Sequence, residues 1–433
     1  MRMPRRVRPL ALGALALTLV ASVLVLRQGP RAARQTPEAE SGNASAVTLD
    51  AVARLQQKID TGAVTLQFDA RHGYLSSLLK DLNIPVSSQT LVFSKSSEQE
   101  AAISPQTPRA LYFTDDVYVG WVQGGAIELA AVDPKSGSFF YTLTQEKDAH
   151  PKFERHTSKC VGCHDSSEDP AKLIPRLLML SVLPDREGNA INGAAVVTTD
   201  RSPFKERWGG WYVTGTHGKQ THLGNQTFRA PARELTSIPE YVATLDLAPG
   251  ANVTDLTGRF DTTPYLIPQS DIVALMVLAH QTHVYSLIMF ATYSLQAALE
   301  LNAKAETTSL VKEVAEPVVR AMLFSGETVL TDPIVGTSGF AAEFVKQGPR
   351  DRRGRSLRDL DLKKRLLRYP LSYVIYSDAF NQMPAVLKDY IDRRLREALS
   401  GEDKSPAYAH LSMTDREDIL AILKDTKPDF TGR

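Results

Sequence analysis

The 433-residue sequence predicts an α+β fold, with a β-hairpin-rich amino-terminal half and a mainly α-helical carboxy-terminal half. Two changes of pattern carry that expectation. From Ala110 onward, apolar residues recur at every second position through Leu111-Tyr112-Phe113, Val117 to Val122, Ala126 to Val132 and Phe139 to Leu143, as in half-buried strands. Beyond Pro239 the spacing turns helical, most plainly in a run from Asp271 to about Leu301 that is apolar on nearly every face and so belongs in a core. With 43% hydrophobic and 23% charged residues, the chain has the composition of a globular protein.

Taken in order, residues 1–27 read as a signal peptide or signal anchor. Arg2, Arg5, Arg6 and Arg8 precede an uncharged apolar run from Leu10 to Leu26, and Arg27, Arg31 and Arg34 follow it. The run is long for a signal peptide and short for a comfortable membrane span, and no clean Ala-x-Ala site follows, so cleavage and membrane anchoring through residues 10–26 both stay open. In either case the positive end stays inside and the body is exported, and the Arg5-Arg6 pair is a weak twin-arginine signal. Residues 28–48, rich in Arg, Pro, Glu, Ser, Gly and Asn, read as a flexible linker.

Apolar residues at helical spacing begin near Leu49 and recur over Tyr74 to Leu79, and Ser96 to Arg109 reads as a polar loop. The strands that follow are joined at Gln123-Gly124-Gly125 and Asp133 to Gly137, a meander of hairpins. A further hairpin is expected from Leu177 to Leu183, a turn at Arg186-Glu187-Gly188-Asn189, and Ala194 to Thr198. Ser270 is the expected cap of the long helix, and further helices are expected over Thr308 to Leu323, Arg358 to Leu367, Ala385 to Leu399 and Asp415 to Leu423. This divides the body into an α+β region at 49–235 and a helical region at 236–433, either separate or folded as one domain.

Between the two sets of hairpins lies Cys160-Val161-Gly162-Cys163-His164, which holds the only two cysteines of the chain. Two thiols three positions apart can each add to a haem vinyl group, and the histidine that follows can reach the iron, so C-x-x-C-H reads as covalent attachment of one haem c. Zinc would need four ligands and usually a second cysteine pair, and a thioredoxin-like dithiol would need a βαβ setting rather than the polar flanks found here. With both thiols committed to haem, no disulfide is left to staple the fold.

Here the sequence resembles the c-type cytochromes. That resemblance implies export, attachment of haem on the outer face of the bacterial cytoplasmic membrane, His164 as the proximal iron ligand, and a periplasmic protein engaged in electron transfer. About 110 structured residues precede the motif and some 270 follow it, unlike the small all-helical cytochromes c, so neither their fold nor their habit of a methionine ligand carries over to this chain as a matter of course. The segment Trp208-Gly209-Gly210-Trp211-Tyr212-Val213-Thr214-Gly215-Thr216-His217-Gly218 resembles a group of large bacterial monohaem cytochrome c proteins, a resemblance that implies no particular activity.

The sixth iron position separates a carrier from an enzyme, since a second protein ligand favours outer-sphere electron transfer and an open site admits a small molecule. His222 is the first expectation for that ligand, because the segment from Trp208 to Asn225 is dense in Gly, aromatic and His residues. His280, three positions from His283 on the long helix, His217 and Met179 are the alternatives. Arg207, Trp208, Trp211 and Tyr212 are candidate contacts to the haem propionates and edge, their bland reading being core packing. An open site with a histidine acid-base group and Arg207 would suit peroxidase- or oxidase-like chemistry, or a small-ligand sensor.

Expected partners are a periplasmic redox protein and, through the amino terminus, the membrane. A net charge of +1 and the lack of interleaved basic and aromatic residues argue against nucleic acid. The stretch Arg350 to Arg368, with nine basic and three acidic side chains, could dock an anionic partner or serve as a solvated face.

Overall fold

Alternation along the central strands decides the architecture. In the computed structural model, which describes residues 50–133, 137–156, 176–230, 237–300 and 307–431, the hairpins build a seven-stranded antiparallel sheet. Its strands are β1 (Thr90–Val92), β2 (Arg109–Phe113), β3 (Val117–Trp121), β4 (Ile127–Asp133), β5 (Gly137–Leu143), β6 (Glu154–His156) and β9 (Trp211–Tyr212), in spatial order β6-β5-β4-β3-β2-β1-β9. Ala110, Tyr112, Val117, Val119, Trp121, Ile127, Leu129 and Ala131 point to one face. Leu111, Phe113, Tyr118, Ala130 and Val132 point to the other. Both faces are covered, so the sheet is a middle layer.

The first face is closed by α1 (Ala51–Asp60) and α2 (Leu75–Asp81), through Val52, Leu55, Ile59, Leu75, Leu78 and Leu79. Asp50 caps α1, its Oδ1 accepting from the Val52 and Ala53 amides at 2.9 and 3.0 Å. The Tyr141 hydroxyl of β5 donates to the other oxygen at 2.6 Å, so the cap also ties the helix to the sheet.

The second face rests on the helical half. Apart from the short α3 (Ile238–Val242), this comprises α4 (Ile272–Glu300), α5 (Thr307–Met322), α6 (Phe340–Phe344), α7 (Asp378–Asn381), α8 (Ala385–Ser400), α9 (Met413–Thr426) and α10 (Pro428–Thr431). The α+β organisation expected from the pattern is the one observed, and the largest core cluster draws residues from both halves. Among the described residues α4 is the one helix long and apolar enough to cross a membrane, yet 89% of its apolar window is buried within the fold. Its apolarity serves the core. Gln281 of α4 donates to the carbonyls of Thr114 and Asp115 and to the Tyr118 hydroxyl, fastening the helix across the β2–β3 turn.

Two helical expectations change. The cap of α4 is Asp271, not Ser270: Asp271 Oδ1 accepts from the Val273 and Ala274 amides at 2.8 and 3.2 Å. Ser270 instead accepts from the Leu91 amide and donates to the Tyr212 carbonyl, bridging β1 and β9. Arg358 to Leu367 is not helical. Asp359 and Asp361 accept from the amides of Ser356, Lys363 and Lys364, and Leu362 takes a positive φ of 55°. Asp side chains that bond the local backbone hold it in turns rather than helix.

The basic stretch around that segment is largely paired within the molecule. Arg355 meets Asp351 and Asp418, Arg358 meets Asp115, and Arg365 meets Asp415. A second hairpin, β7 (Leu180–Pro184) with β8 (Ala190–Val197), and a small pair, β10 (Gly215–Thr216) with β11 (Val335–Gly336), complete the fold.

Candidate functional site

Cys160, Cys163 and His164 lie outside the described residues, as does the amino-terminal 1–49 segment. The structure does fix where the chain leaves β6 and where it returns. His156, the last residue of β6, pairs with Phe140 of β5, and two residues along β5 Ser138 donates to the Met289 sulfur of α4 at 3.4 Å. On the return, the Arg176 guanidinium lies 5.6 Å from the Phe290 ring centre, and Ser286 donates to the Leu177 carbonyl at 2.5 Å. The returning end therefore abuts one turn of α4, residues 286–290, and the outgoing end pairs with the strand that touches Met289 of the same turn.

The segment from Trp208 to Asn225 owes its glycine content to strand packing. A Cβ at Gly209 would fall 2.0 Å from the Val182 carbonyl oxygen of β7, and Gly210, at φ +83°, lies against Ser94. Trp208 precedes them with φ +63°, uncommon for a bulky buried residue, and closes the turn that delivers Trp211 to β9. Its aromatic partners are Phe204, His222 and, beyond them, His217, with ring centres 4.8 to 6.2 Å apart.

Both histidines of this box are buried and neutral. Burial above all, and then the proximity of His217, pushes His222 down to about 3, and burial also lowers His217. Their backbone contacts settle the tautomers. His222 Nδ1 accepts from the Gly224 amide at 3.0 Å and His217 Nε2 accepts from the Asn252 amide at 2.9 Å. The remaining nitrogens, His222 Nε2 and His217 Nδ1, thus carry protons. Neither has a hydrogen-bond acceptor among the described residues, and nor does Trp208 Nε1. Edge-to-face neighbours leave these N–H groups aimed among aromatic rings, a second-rank stabilisation. As folded, His222 presents a donor rather than a lone pair.

The other candidates occupy defined places. Met179 is buried in the main core. Trp211 donates through Nε1 to the Leu180 carbonyl and Tyr212 through its hydroxyl to the Pro105 carbonyl, both at 2.7 Å. Arg207 is buried, with Nη2 and Nε donating to the carbonyls of Asp200 and Ser202. Its desolvation lowers it to about 10 against the pull of the Asp200 and Glu327 charges. The donor tips of all three thus serve the backbone.

Arg207 leads to a second cluster, centred on Asp200. This carboxylate is buried, which alone would raise its pKa, but the histidines His280 and His283 hold it well below the usual carboxylate range. His283 Nδ1 donates to Asp200 Oδ1 at 2.9 Å. His280 Nδ1 stands 3.8 Å from Oδ2, too far for a hydrogen bond. The fully buried His280 ring stacks on Phe324 with centres 4.1 Å apart, and its Nε2 is joined to the Ser372 hydroxyl at 2.8 Å. His280 is closed on every side.

His283 is not. Its side chain is 15% exposed, and with Nδ1 committed to the carboxylate its Nε2 has no hydrogen-bond partner among the described residues. By helical spacing it shares a face with Ser286, Leu287 and Phe290, and Phe290 is 37% exposed. Sequence reasoning noted His283 only as the neighbour of His280. No local signal marks Asp200, 83 positions away, as the residue that orients it.

No group of three or more His, Cys, Asp or Glu among the described residues is placed to hold a metal ion. Compared with known proteins, the chain matches no family model, no curated protein and no solved structure.

Glu327 extends the Asp200 cluster and gives it a pH dependence. Burial, reinforced by the Asp200 charge, raises its carboxyl to about 8 against the opposing hydrogen bond from the Leu366 amide and the charges of Arg207 and Arg365. A group whose folded pKa exceeds its unfolded one adds stability at acid pH and loses it as pH climbs through the folded value. Glu327→Gln keeps an acceptor for the Leu366 amide and removes that loss. Because the side chain is partly exposed, the variant is expected to be more stable than the parent by on the order of 2 kcal/mol above pH 8. That gain vanishes below about pH 4.5, as chemical denaturation across this range would read out.

Proposed function

We propose that this protein is an exported c-type cytochrome that binds one haem covalently and exchanges single electrons with a periplasmic redox partner. The observation that carries the reading is Cys160-Val161-Gly162-Cys163-His164, in which two thiols and an imidazole stand at the spacing that thioether attachment and proximal ligation require. The arginine-flanked apolar run at the amino terminus supports it, since export brings the thiols to the side of the membrane where attachment occurs.

The described residues that flank the motif in sequence support the reading. Cys160 follows His156 by four residues, a reach of at most about 13 Å. His156 stands beside a strand that touches Met289, and the chain re-enters at Leu177 against Ser286. Beside Ser286, α4 offers the half-buried Leu287, the exposed Phe290 and the partly exposed imidazole of His283. A haem so held supplies reversible one-electron chemistry at its iron. The protein's part would be to keep it attached through Cys160 and Cys163, ligate it through His164 and admit the partner to it.

The test is spectroscopic. Protein matured in a host that attaches haem c is expected to give the alkaline pyridine spectrum of a bis-thioether haem after denaturation. The native reduced form is expected to be indifferent to carbon monoxide. Absence of covalent haem would remove the reading, and rapid carbon monoxide binding would replace the carrier with a haem enzyme or ligand sensor.

A further inference from the structure

We infer that the cavity between the β7–β8 hairpin and the helical turn Phe204–Glu206 is a binding site for a short primary alkylammonium group. The inference goes beyond the electron-transfer reading and does not depend on it.

The cavity has a volume of about 50 Å³ and is partly open to solvent. At about 10–15 Å³ for each water-sized group, that is room for roughly three to five. Propylammonium and butylammonium are of that size. Leu183 of β7, Ala194 and Val196 of β8, Leu223, and Pro239 of α3 make the walls apolar, and Glu206 is the one charged residue on the lining.

The walls are fixed before any ligand arrives. Ser181 Oγ of β7 accepts from the Gly209 amide and donates to the Glu206 carbonyl, both at 2.8 Å, which ties the helical turn to the hairpin. The Val182 amide donates to the Gly209 carbonyl and the Leu223 amide to the Arg207 carbonyl, both at 3.0 Å. Leu183, Ala194 and Leu223 are anchored in a small core of their own with Ile191, Phe228 and Val242.

Charge selects the ligand. The Glu206 carboxylate has no ion pair or hydrogen bond among the described residues, and its neighbour Arg207 is spent on the carbonyls of Asp200 and Ser202. An anion would be repelled, and a neutral occupant would desolvate the carboxylate without neutralising it. A divalent metal needs several ligand atoms, and the lining supplies a single carboxylate. No aromatic ring is among the lining residues to favour a quaternary ammonium. A primary ammonium brings N–H donors to the carboxylate and its methylene chain to the apolar walls.

Methyl-selective NMR of the full-length protein tests the site. Butylammonium is expected to shift the methyl signals of Leu183, Val196 and Leu223 saturably, and binding should tighten about fourfold for each methylene from ethyl- to butylammonium. Butanol and butyrate, matched in size, should bind at least about tenfold more weakly. Glu206→Gln, at a half-buried position outside the core clusters, should fold as the parent does and weaken butylammonium about tenfold. Ala194→Leu fills the cavity and should abolish the shifts, with unchanged methyl signals from the main core as its fold control. The Nα-acetyl amide of lysine carries the same butylammonium group: shifts of the same methyls would assign the occupant to a side chain of a partner protein, and shifts with butylammonium alone to a free amine. Equal binding of butanol, an unaffected Glu206→Gln, or no saturable shift of these methyls would each overturn the assignment.

Discussion

Replacing Cys160 and Cys163 together by alanine is expected to abolish covalent haem, leaving any cofactor extractable into acidified organic solvent. The expectation follows from the count of thiols. These are the only two cysteines of the chain, so no other side chain can form a thioether with a vinyl group. Each single variant, Cys160→Ala or Cys163→Ala, should keep one thioether and shift the pyridine spectrum toward that of a haem with one intact vinyl group.

The fold should tolerate the change. Both core clusters that flank the sheet are closed by strand and helix side chains that the substitutions leave in place. Haem staining of a denaturing gel, with the far-ultraviolet spectrum as a fold control, checks the result. A wild-type haem stain in the double variant would refute covalent attachment by this motif. A zinc or dithiol role for the same residues would instead show as a protein that never carries haem.

What the sequence made legible follows from the range of the interactions involved. The hairpins β2 to β5 were readable because both partners of each pairing lie within a few residues of a turn, and the alternation of Leu111, Tyr112 and Phe113 records which face each side chain takes. The two-residue strands β9, β10 and β11 have no such local record. They exist because Leu91 and Val335, remote in sequence, lie opposite Tyr212 and Thr216. The glycines of the Trp208 segment suggest a loop near a flat cofactor, whereas in the structure Gly209 and Gly210 lie against β7 and Ser94, Gly215 against Ile272 and Gly218 against Asp332. In the sequence His283 reads only as the neighbour of His280, for a similar reason. Its open nitrogen is defined by Asp200, and only the fold brings that carboxylate to α4.

The second large effect concerns the residue that fixes α4 at its start. Asp271 is 1% exposed and accepts from five donors. Oδ1 takes the Val273 and Ala274 amides as the helix cap, and Oδ2 takes the Thr337 and Ser338 amides at 2.6 and 2.8 Å together with the Ser338 hydroxyl at 3.1 Å. One carboxylate thus satisfies the first turn of the central helix and the loop after β11 at once. Asp271→Ala removes the cap, for about 1 kcal/mol, and strands two amides of that loop, each for about 1–3 kcal/mol. The expected loss is roughly 3–7 kcal/mol, visible as a lower urea midpoint with an unchanged slope. Asp271→Asn retains one acceptor oxygen but turns an amide donor toward donors, so it should recover less than half of the loss. Because α4 also carries Gln281 to the β2–β3 turn and His283 to Asp200, weakening its start loosens the sheet contact and the imidazole together. A loss below about 1 kcal/mol in Asp271→Ala would show that the loop amides find other acceptors, and that α4 is held by packing alone.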